Sequence, residues 1–263
     1  MSHDPTRSPA RRPRRLASLI VVLLTVLLAP GGAAPAQEAT PIAPIGAGTG
    51  GASVPCGERL GIGDATVACL TIIHAAADAG PVDLSVDGAV LLTGVAAATS
   101  TGFFALPAGS YDLTVTASGQ PETVLLDLPD QPLEAGTAIE VALVGSQDDS
   151  TLTGLVLPVA PPAPAMGDAS VRVVQAIPDA PPLDIGLETG ETLIAGLVPL
   201  TASDYLTVPA AATSVVVRPA GAAEVLFPVP GFTPLAGGTL TIYALGTVTN
   251  PTGITLLTVV VPG

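Results

Sequence analysis

Aromatic residues are scarce in this chain of 263 residues, which has no Trp and an aromatic content of only 3%. Proteins that bind sugars usually stack them on exposed aromatic rings. The three tyrosines, Tyr111, Tyr205 and Tyr243, are too few to mark such a platform. A carbohydrate-binding module therefore receives little support from the composition.

Basic residues are also scarce, and most of them stand near the N-terminus. Four arginines between positions 11 and 15 precede an uncharged apolar run at residues 16–29, which is too short to cross a bilayer comfortably. The small residues Ala34 and Ala36 follow. This order is typical of a secretory signal peptide. We expect residues 1–36 to be removed by cleavage after Ala36, and an uncleaved membrane anchor is the alternative.

Cleavage there would leave a strongly acidic protein. Three arginines would remain against 21 acidic residues, a formal charge of −18. Nucleic acids and anionic membranes are bound through clustered cations, so this charge excludes both as partners. Charged residues are nevertheless only 11% of the chain and apolar ones 48%, a composition that forms a core.

Only two cysteines occur, Cys56 and Cys69, and both follow the signal. Thiols tend to pair outside the cytoplasm, so we expect a disulfide that joins the leader to the first strand. Cys69 lies on the strand face opposite Leu70 and Ile72, which we expect to point into the core. A reactive or metal-binding thiol is the alternative, but it would require a nearby histidine or C-x-x-C spacing, and neither is present.

Two stretches rich in Gly, Ala and Pro divide the exported part. Residues 37–64 read as a flexible leader, and residues 160–168 as a stiffer Pro-rich linker. Two segments of similar length, 65–159 and 169–263, are internal repeats. The clearest matches are His74 with Gln175, Asp78 with Asp179, Pro81 with Pro182, and Asp83 with Asp184.

Each repeat is a series of short β-branched runs separated by Gly, Pro, Asp and Ser, without an apolar pattern of helical period. Residues 82–86 alternate apolar and polar, and Asp87-Gly88 then leads into residues 89–92, which is a strong hairpin signal. We therefore predict an all-β protein of two tandem immunoglobulin-like β-sandwich domains. Small closed β-barrels are the alternative.

The repeated residues also resemble a known family. The segments at 72–75, 78–79, 81–83, 86–88 and 106–111 are similar to V-R-V-V-H-A-S-P-D-A-P-x-V-D-V-x-V-D-G followed by L-P-A-G-x-Y. That pattern marks a secreted prokaryotic family known as domain of unknown function 4397. The second repeat matches it less well, with departures at Gln175, residues 188–190 and Ala211, and without the tyrosine. The resemblance implies an extracellular β-sandwich, often found in tandem, and brings no activity with it.

His74 is the only histidine after residue 36, so any Ser-His-Asp or Cys-His arrangement must use it. Its counterpart Gln175 forms hydrogen bonds but cannot act as a base near neutral pH. We interpret both as polar residues at a strand end that bond to a turn, and we expect no catalytic residue.

Recurring aspartates are weak candidates for metal ligands. The pairs are Asp78 with Asp179 and Asp83 with Asp184, beside the prolines Pro81 and Pro182. Calcium requires six to eight oxygens that converge on one point, which so few carboxylates do not supply. We interpret Asp78, Asp179 and the two prolines as structural turn residues. The carboxylates of Asp78 and Asp179 are expected to bond to their own turn. The second pair occupies the outward phase of a strand, and no metal or cofactor is expected.

These observations favour a secreted or cell-envelope module that binds a partner or supports structure without catalysis. The expected partner is an extracellular protein or a cell-wall glycan, with no nucleic acid and no membrane span after signal cleavage. Function would then lie on loops that differ between the repeats, residues 147–150 and 247–253. The alternatives are a secreted hydrolase with a carboxylate-based or His74-based site, and a carbohydrate-binding accessory module. The C-terminal residues show no hydrophobic tail or sorting motif, so release or loose wall association is expected.

Overall fold

The computed structural model describes residues 56–261 except 60, 62, 77 and 250–252. The predicted signal peptide and most of the leader lie outside the described residues. Everything described belongs to one compact unit. No helix within these residues is both long enough and apolar enough to cross a membrane.

A one-turn helix and eighteen strands make up the described chain. The helix α1 (Cys56–Arg59) precedes the first repeat, which contains β1 (Val67–His74), β2 (Val82–Val86), β3 (Ala89–Val95), β4 (Thr99–Ser100), β5 (Phe104–Pro107), β6 (Gly109–Ala117), β7 (Gln120–Leu133), β8 (Ala138–Val144) and β9 (Thr153–Pro158). The second contains β10 (Asp168–Gln175), β11 (Leu183–Leu187), β12 (Thr192–Leu197), β13 (Thr201–Ala202), β14 (Leu206–Pro209), β15 (Thr213–Pro219), β16 (Phe227–Phe232), β17 (Thr239–Leu245) and β18 (Thr255–Val261).

The strands form four sheets, two in each repeat. Sheet A has the order β4-β1-β8-β9 with β5 also paired to β1, and sheet B has the order β3-β2-β6-β7. Sheet C repeats this arrangement as β13-β10-β17-β18 with β14 on β10, and sheet D as β12-β11-β15-β16. The sheets do not close into barrels. The prediction of two all-β sandwiches is therefore confirmed, and the barrel alternative is wrong.

Strand pairing has the same register in both repeats. β1 runs parallel to β8 with Leu70 opposite Ile139, and β10 runs parallel to β17 with Val171 opposite Leu240. The hairpin predicted at Asp87-Gly88 joins β2 to β3, and both residues have positive φ angles of 48° and 75°. Positive φ at both central positions is the geometry of a type I′ turn, which matches the twist of the two strands.

Alternation along the strands places the core of the first repeat between sheets A and B. Leu70 and Ile72 of β1 are buried there against Leu84 of β2 and Leu113 of β6, as their strand phase predicts. An equivalent cluster between sheets C and D includes Leu183 of β11.

The outer face of sheet A packs on the outer face of sheet C. Ile73, Ala142 and Val144 from the first repeat are buried in one cluster with Val174 and Tyr243 from the second. Strands β1 and β8 consequently have both faces covered, and all seven residues of β8 are buried. The four sheets therefore stack in the order B, A, C, D, and the two sandwiches share a buried interface.

Candidate functional site

His74 and Gln175 end the first strand of their repeats and hold the turn that follows. His74 is 0% exposed, and its Nε2 lies 2.6 Å from the carbonyl oxygen of Gly80. Because a carbonyl only accepts, Nε2 carries the proton. Gln175 Nε2 donates to the carbonyl of Pro181 at 3.1 Å. Both side chains bond to the carbonyl of the residue six positions further along the chain.

Burial lowers the pKa of His74, while the Gly80 carbonyl and the charge of Asp78 oppose that shift. The imidazole is therefore neutral at physiological pH. A general base must reach the proton that it removes. His74 is shielded from solvent and its Nε2 is already engaged, so this geometry offers no catalytic base.

Asp78 and Asp179 each fix a loop that is distant in sequence, a contact that the expectation of bonds within their own turn did not include. The carboxylate of Asp78 accepts from Ser146 Oγ at 2.6 Å and from the backbone N–H of Gln147 and Asp148 at 3.0 and 3.1 Å. Partial burial raises the pKa of Asp78, but these donors outweigh it and hold the pKa below its ordinary value. Three donors of the β8–β9 loop thus converge on one carboxylate.

Asp179 repeats this arrangement in the second sandwich. Its two oxygens accept from the backbone N–H groups of Val248 and Thr249 at 2.9 and 3.2 Å. The partners lie 69 and 70 residues away, on the β17–β18 loop. Both loops on which function was predicted are thus held by a recurring aspartate.

Asp83 and Asp184 lie in the predicted outward phase of β2 and β11, and each bonds to the backbone of a neighbouring strand and to that of a turn. Asp83 accepts from the N–H of Gly94 at 2.8 Å and of Gly119 at 3.1 Å. Asp184 accepts from Gly196 at 2.7 Å and Gly221 at 2.9 Å. These hydrogen bonds lower the pKa of both aspartates.

Pro81 and Pro182 precede these strands and also serve the backbone. The carbonyl of Pro81 accepts from the N–H of Ser118 at 3.0 Å, and that of Pro182 from Ala220 at 2.8 Å. The candidate metal ligands are therefore occupied by N–H and O–H donors at separate places. Within the described residues, no three His, Cys, Asp or Glu side chains meet as a metal site.

The cysteine pair joins α1 to β1. Cys56 and Cys69 form a disulfide with their Cα atoms 6.0 Å apart. The second repeat has Ser170 in place of Cys69, and its Oγ donates to the carbonyl of Pro162 at 2.8 Å. Each repeat thus ties the preceding segment to its first strand, once by a covalent bond and once by a hydrogen bond.

A buried polar cluster at the interface of the two sandwiches was not predicted. Glu140 of β8 is 0% exposed, and its carboxylate accepts from Tyr243 OH at 2.6 Å and Thr241 Oγ1 at 2.9 Å. Arg172 Nη2 lies 3.3 Å from the same carboxylate. Arg172 Nη1 donates to the carbonyl of Pro158 at 2.9 Å. One acid from the first repeat therefore meets three donors from the second.

Electrostatics in this cluster are set by burial. Burial raises the pKa of Glu140, and the charge of Arg172 and the two hydroxyl donors oppose that shift. Burial also raises the pKa of Tyr243, so it stays a hydroxyl donor. The guanidinium carbon of Arg172 lies 4.5 Å from the ring centroid of Tyr205, a cation–π contact.

The only signal for this cluster in the sequence is a charged residue inside an apolar strand. Glu140 stands in A-I-E-V-A-L-V and Arg172 in V-R-V-V. Their counterparts in the other repeat are Thr241 and Thr71, so the ion pair does not recur. When each repeat is considered alone, the alternation along its strands places Glu140 and Arg172 on the face away from the core, which would be exposed to solvent.

Tyr111 and Gly109 lie two residues apart on β6, and the second repeat replaces both. Tyr111 OH donates to the carbonyl of Pro107 at 2.8 Å, in the manner of a tyrosine corner. A Cβ added to Gly109 would lie 3.4 Å from the tyrosine ring, at the short end of ordinary van der Waals contact. Their counterparts are Thr213 and Ala211, and Thr213 lines a surface depression of about 400 Å³.

Comparison with known proteins identifies the family. A family model described as "Domain of unknown function (DUF4397)" matches residues 68–186 and 169–261. The chain belongs to the DUF4397 family. The resemblance expected from the sequence is thereby confirmed. The matched segments span most of the described DUF4397 chain and include both sandwiches, although the family brings no specific activity.

Other comparisons add little. No curated protein matches the chain. Among solved structures, one match is a family 26 carbohydrate-binding module from Eubacterium rectale Amy13K, in complex with maltoheptaose. It is 12% identical with a TM-score of 0.25, and the match covers 74% of this chain and 97% of the other. Similarity this low supports no inference about a ligand.

Proposed function

We propose that this DUF4397 protein is exported and acts in the cell envelope or medium as a non-catalytic scaffold, whose two sandwiches present loops to an extracellular partner. The observation that most supports this proposal is that the polar residues at matching positions of the two repeats form structural hydrogen bonds. The pairs His74 and Gln175, Asp78 and Asp179, and Asp83 and Asp184 all bond to main-chain groups. Residues retained in both copies thus serve the fold.

A hydrolase based on His74 is disfavoured by the same geometry, because its Nε2 is already engaged with Gly80. Assay of the purified chain against ester, glycan and peptide substrates should therefore detect no turnover. Hydrolysis that is lost in a His74→Ala variant, while an Asp87→Ala variant keeps it, would overturn the proposal.

The loop at residues 147–150 is the favoured contact surface, and its partner is a protein or a cell-wall glycan. Asp148 and Asp149 are exposed at its tip, whereas residues 247–253 contain no charge. The Asp78 carboxylate holds the backbone of this loop, so the acidic side chains are presented on a fixed frame. A fixed loop loses little conformational entropy on binding.

Cosedimentation with isolated cell envelopes tests this surface. Saturable binding should weaken at least about tenfold in a variant with Asp148→Ala and Asp149→Ala, an effect expected for charges at a contact. A control with Glu122→Ala and Glu224→Ala removes the same charge at two other exposed positions. Equal binding by both variants would contradict the assignment of the loop.

Export is tested by the N-terminus of protein recovered outside the cytoplasm. The proposal expects the mature chain to begin at Gln37, after removal of the Arg-rich and apolar segments. Recovered protein that begins at Met1 would contradict it.

A further inference from the structure

The core of the second sandwich contains a cavity of about 200 Å³ between sheets C and D. Its lining is almost wholly apolar and contains no charged residue. Residues on three strands of sheet C and one of sheet D illustrate the character of the walls: Val173, Leu206, Val208, Leu256 and Phe227.

Along β10 and β14 the cavity is lined by smaller side chains than the first repeat has at the same positions. Every apolar inward residue of β10 and β14 that lines it is reduced relative to its register equivalent. The substitutions are Leu70 to Val171, Ile72 to Val173, Phe104 to Leu206 and Leu106 to Val208. Larger residues line the other walls of the cavity, on β11, β12, β16, β17 and β18: Leu183 for Val82, Leu197 for Val95, Phe227 for Leu126, Ile242 for Val141 and Leu256 for Gly154.

The lining has two polar residues, Gln175 and Thr258, of which only Gln175 is buried. Its side chain lines the cavity and is 1% exposed. Nε2 donates to Pro181, and Oε1 has no hydrogen-bond partner among the described residues. An unpaired buried acceptor costs free energy, which a donor brought by a ligand would recover.

Size and charge define the molecule that fits. An apolar cavity of about 150 Å³ can stay dry and bind benzene, so this one admits a single ring with a short substituent. A charged group would be buried there without compensation.

We propose that the second sandwich binds a small neutral apolar molecule, of about the size of one substituted ring, whose single hydroxyl or N–H donates to Oε1 of Gln175. This inference does not depend on the proposed scaffold function.

Titration of the full chain with toluene and with benzyl alcohol tests the proposal. Isothermal calorimetry and methyl NMR measure the binding. Both probes should bind saturably at one site, with shift changes confined to methyl groups of the second repeat, such as those of Val173 and Leu206. No saturable binding, or changes centred on the first repeat, would overturn the proposal.

Matched variants test the site. Leu206→Phe introduces the residue of the first repeat and should weaken both probes at least tenfold, whereas Phe104→Leu in the first repeat should leave affinity within twofold. Val173→Ile, a smaller change toward Ile72, should weaken both probes several-fold and serves if the phenylalanine variant does not fold. Unchanged affinity in a folded cavity variant would contradict the assignment.

A second variant tests the polar contact. Gln175→Leu should shift the ratio of affinities against benzyl alcohol and toward toluene by about tenfold, because only the alcohol donates to Oε1. An unchanged ratio would show that the hydroxyl does not bind Gln175 and would overturn that part of the proposal.

Discussion

His74 and Gln175 meet one structural demand with different chemistry. Each donates from Nε2 to a turn carbonyl six residues away, and each is buried. The imidazole differs in that it can take up a proton, and burial lowers its pKa. The histidine therefore adds a pH dependence to the first sandwich that the glutamine does not add to the second.

The sign of that dependence follows from the depressed pKa. Above about pH 6.5 the imidazole is neutral in both folded and unfolded chains. As the pH falls below that value the unfolded chain gains the proton first, so stability is lost toward the folded pKa. His74→Gln should keep the bond to Gly80 and remain within about 1 kcal/mol of the parent at pH 7.5. It should lose less free energy of unfolding than the parent between pH 7.5 and 5.

Denaturant unfolding at the two pH values measures this change. The reciprocal variant, Gln175→His, should gain the pH dependence that His74→Gln loses. Identical pH profiles for the parent and His74→Gln would contradict the burial argument.

At the scale of elements, long-range aspartate contacts fix the β8–β9 and β17–β18 loops. Asp78 holds the first loop and Asp179 the second, through backbone N–H donors about 70 residues away. The rigidity of each loop thus depends on one carboxylate that lies outside the loop, between β1 and β2 in the first sandwich and between β10 and β11 in the second.

Amide hydrogen exchange can test the two loops against each other. Asp78→Asn leaves one acceptor oxygen for three donors, so exchange at Gln147 and Asp148 should accelerate by up to about tenfold. Exchange at Val248 and Thr249 should stay unchanged, and Asp179→Asn should give the reverse pattern. Acceleration at all four amides in either variant would indicate global destabilisation and contradict the local role.

Local signals in the sequence predict the elements well and their distant contacts poorly. Period-two alternation and Asp87-Gly88 predict β2, β3 and the turn between them, because both depend on neighbouring residues. The partners of Asp78 could not be predicted, since a turn carboxylate usually bonds nearby. Asp83 was placed on the correct strand phase, but its bonds to Gly94 and Gly119 depend on how three strands meet.

At the scale of the molecule, the interface between sheets A and C makes one body of two sandwiches. The sequence predicts two repeats with a Pro-rich linker, and nothing in either repeat alone indicates that their outer faces pack together. Glu140 and Arg172 interact only when both repeats are present. Loss of either partner would leave the other as an uncompensated buried charge, so each of the two residues depends on the opposite repeat.

Single and double substitutions measure that pair. Arg172→Met leaves the buried Glu140 without its cation and should cost about 3 kcal/mol or more in free energy of unfolding. Adding Glu140→Leu should recover much of the loss, because no buried charge then remains. Arg218→Met, on the half-buried Arg218 of β15, is the control and should cost less than about 1 kcal/mol. Equal costs for the two arginine variants would contradict the role of the interface.

Scanning calorimetry of the parent protein tests most directly whether the two sandwiches form one cooperative body. Because strands β1 and β8 are buried on both faces, loss of one sandwich would expose apolar surface on the other. We expect a single transition whose calorimetric and van't Hoff enthalpies agree. We also expect residues 169–263 alone to melt at a lower temperature than they do in the full chain. Two resolved transitions, or an isolated second repeat that melts as it does in the parent, would contradict it.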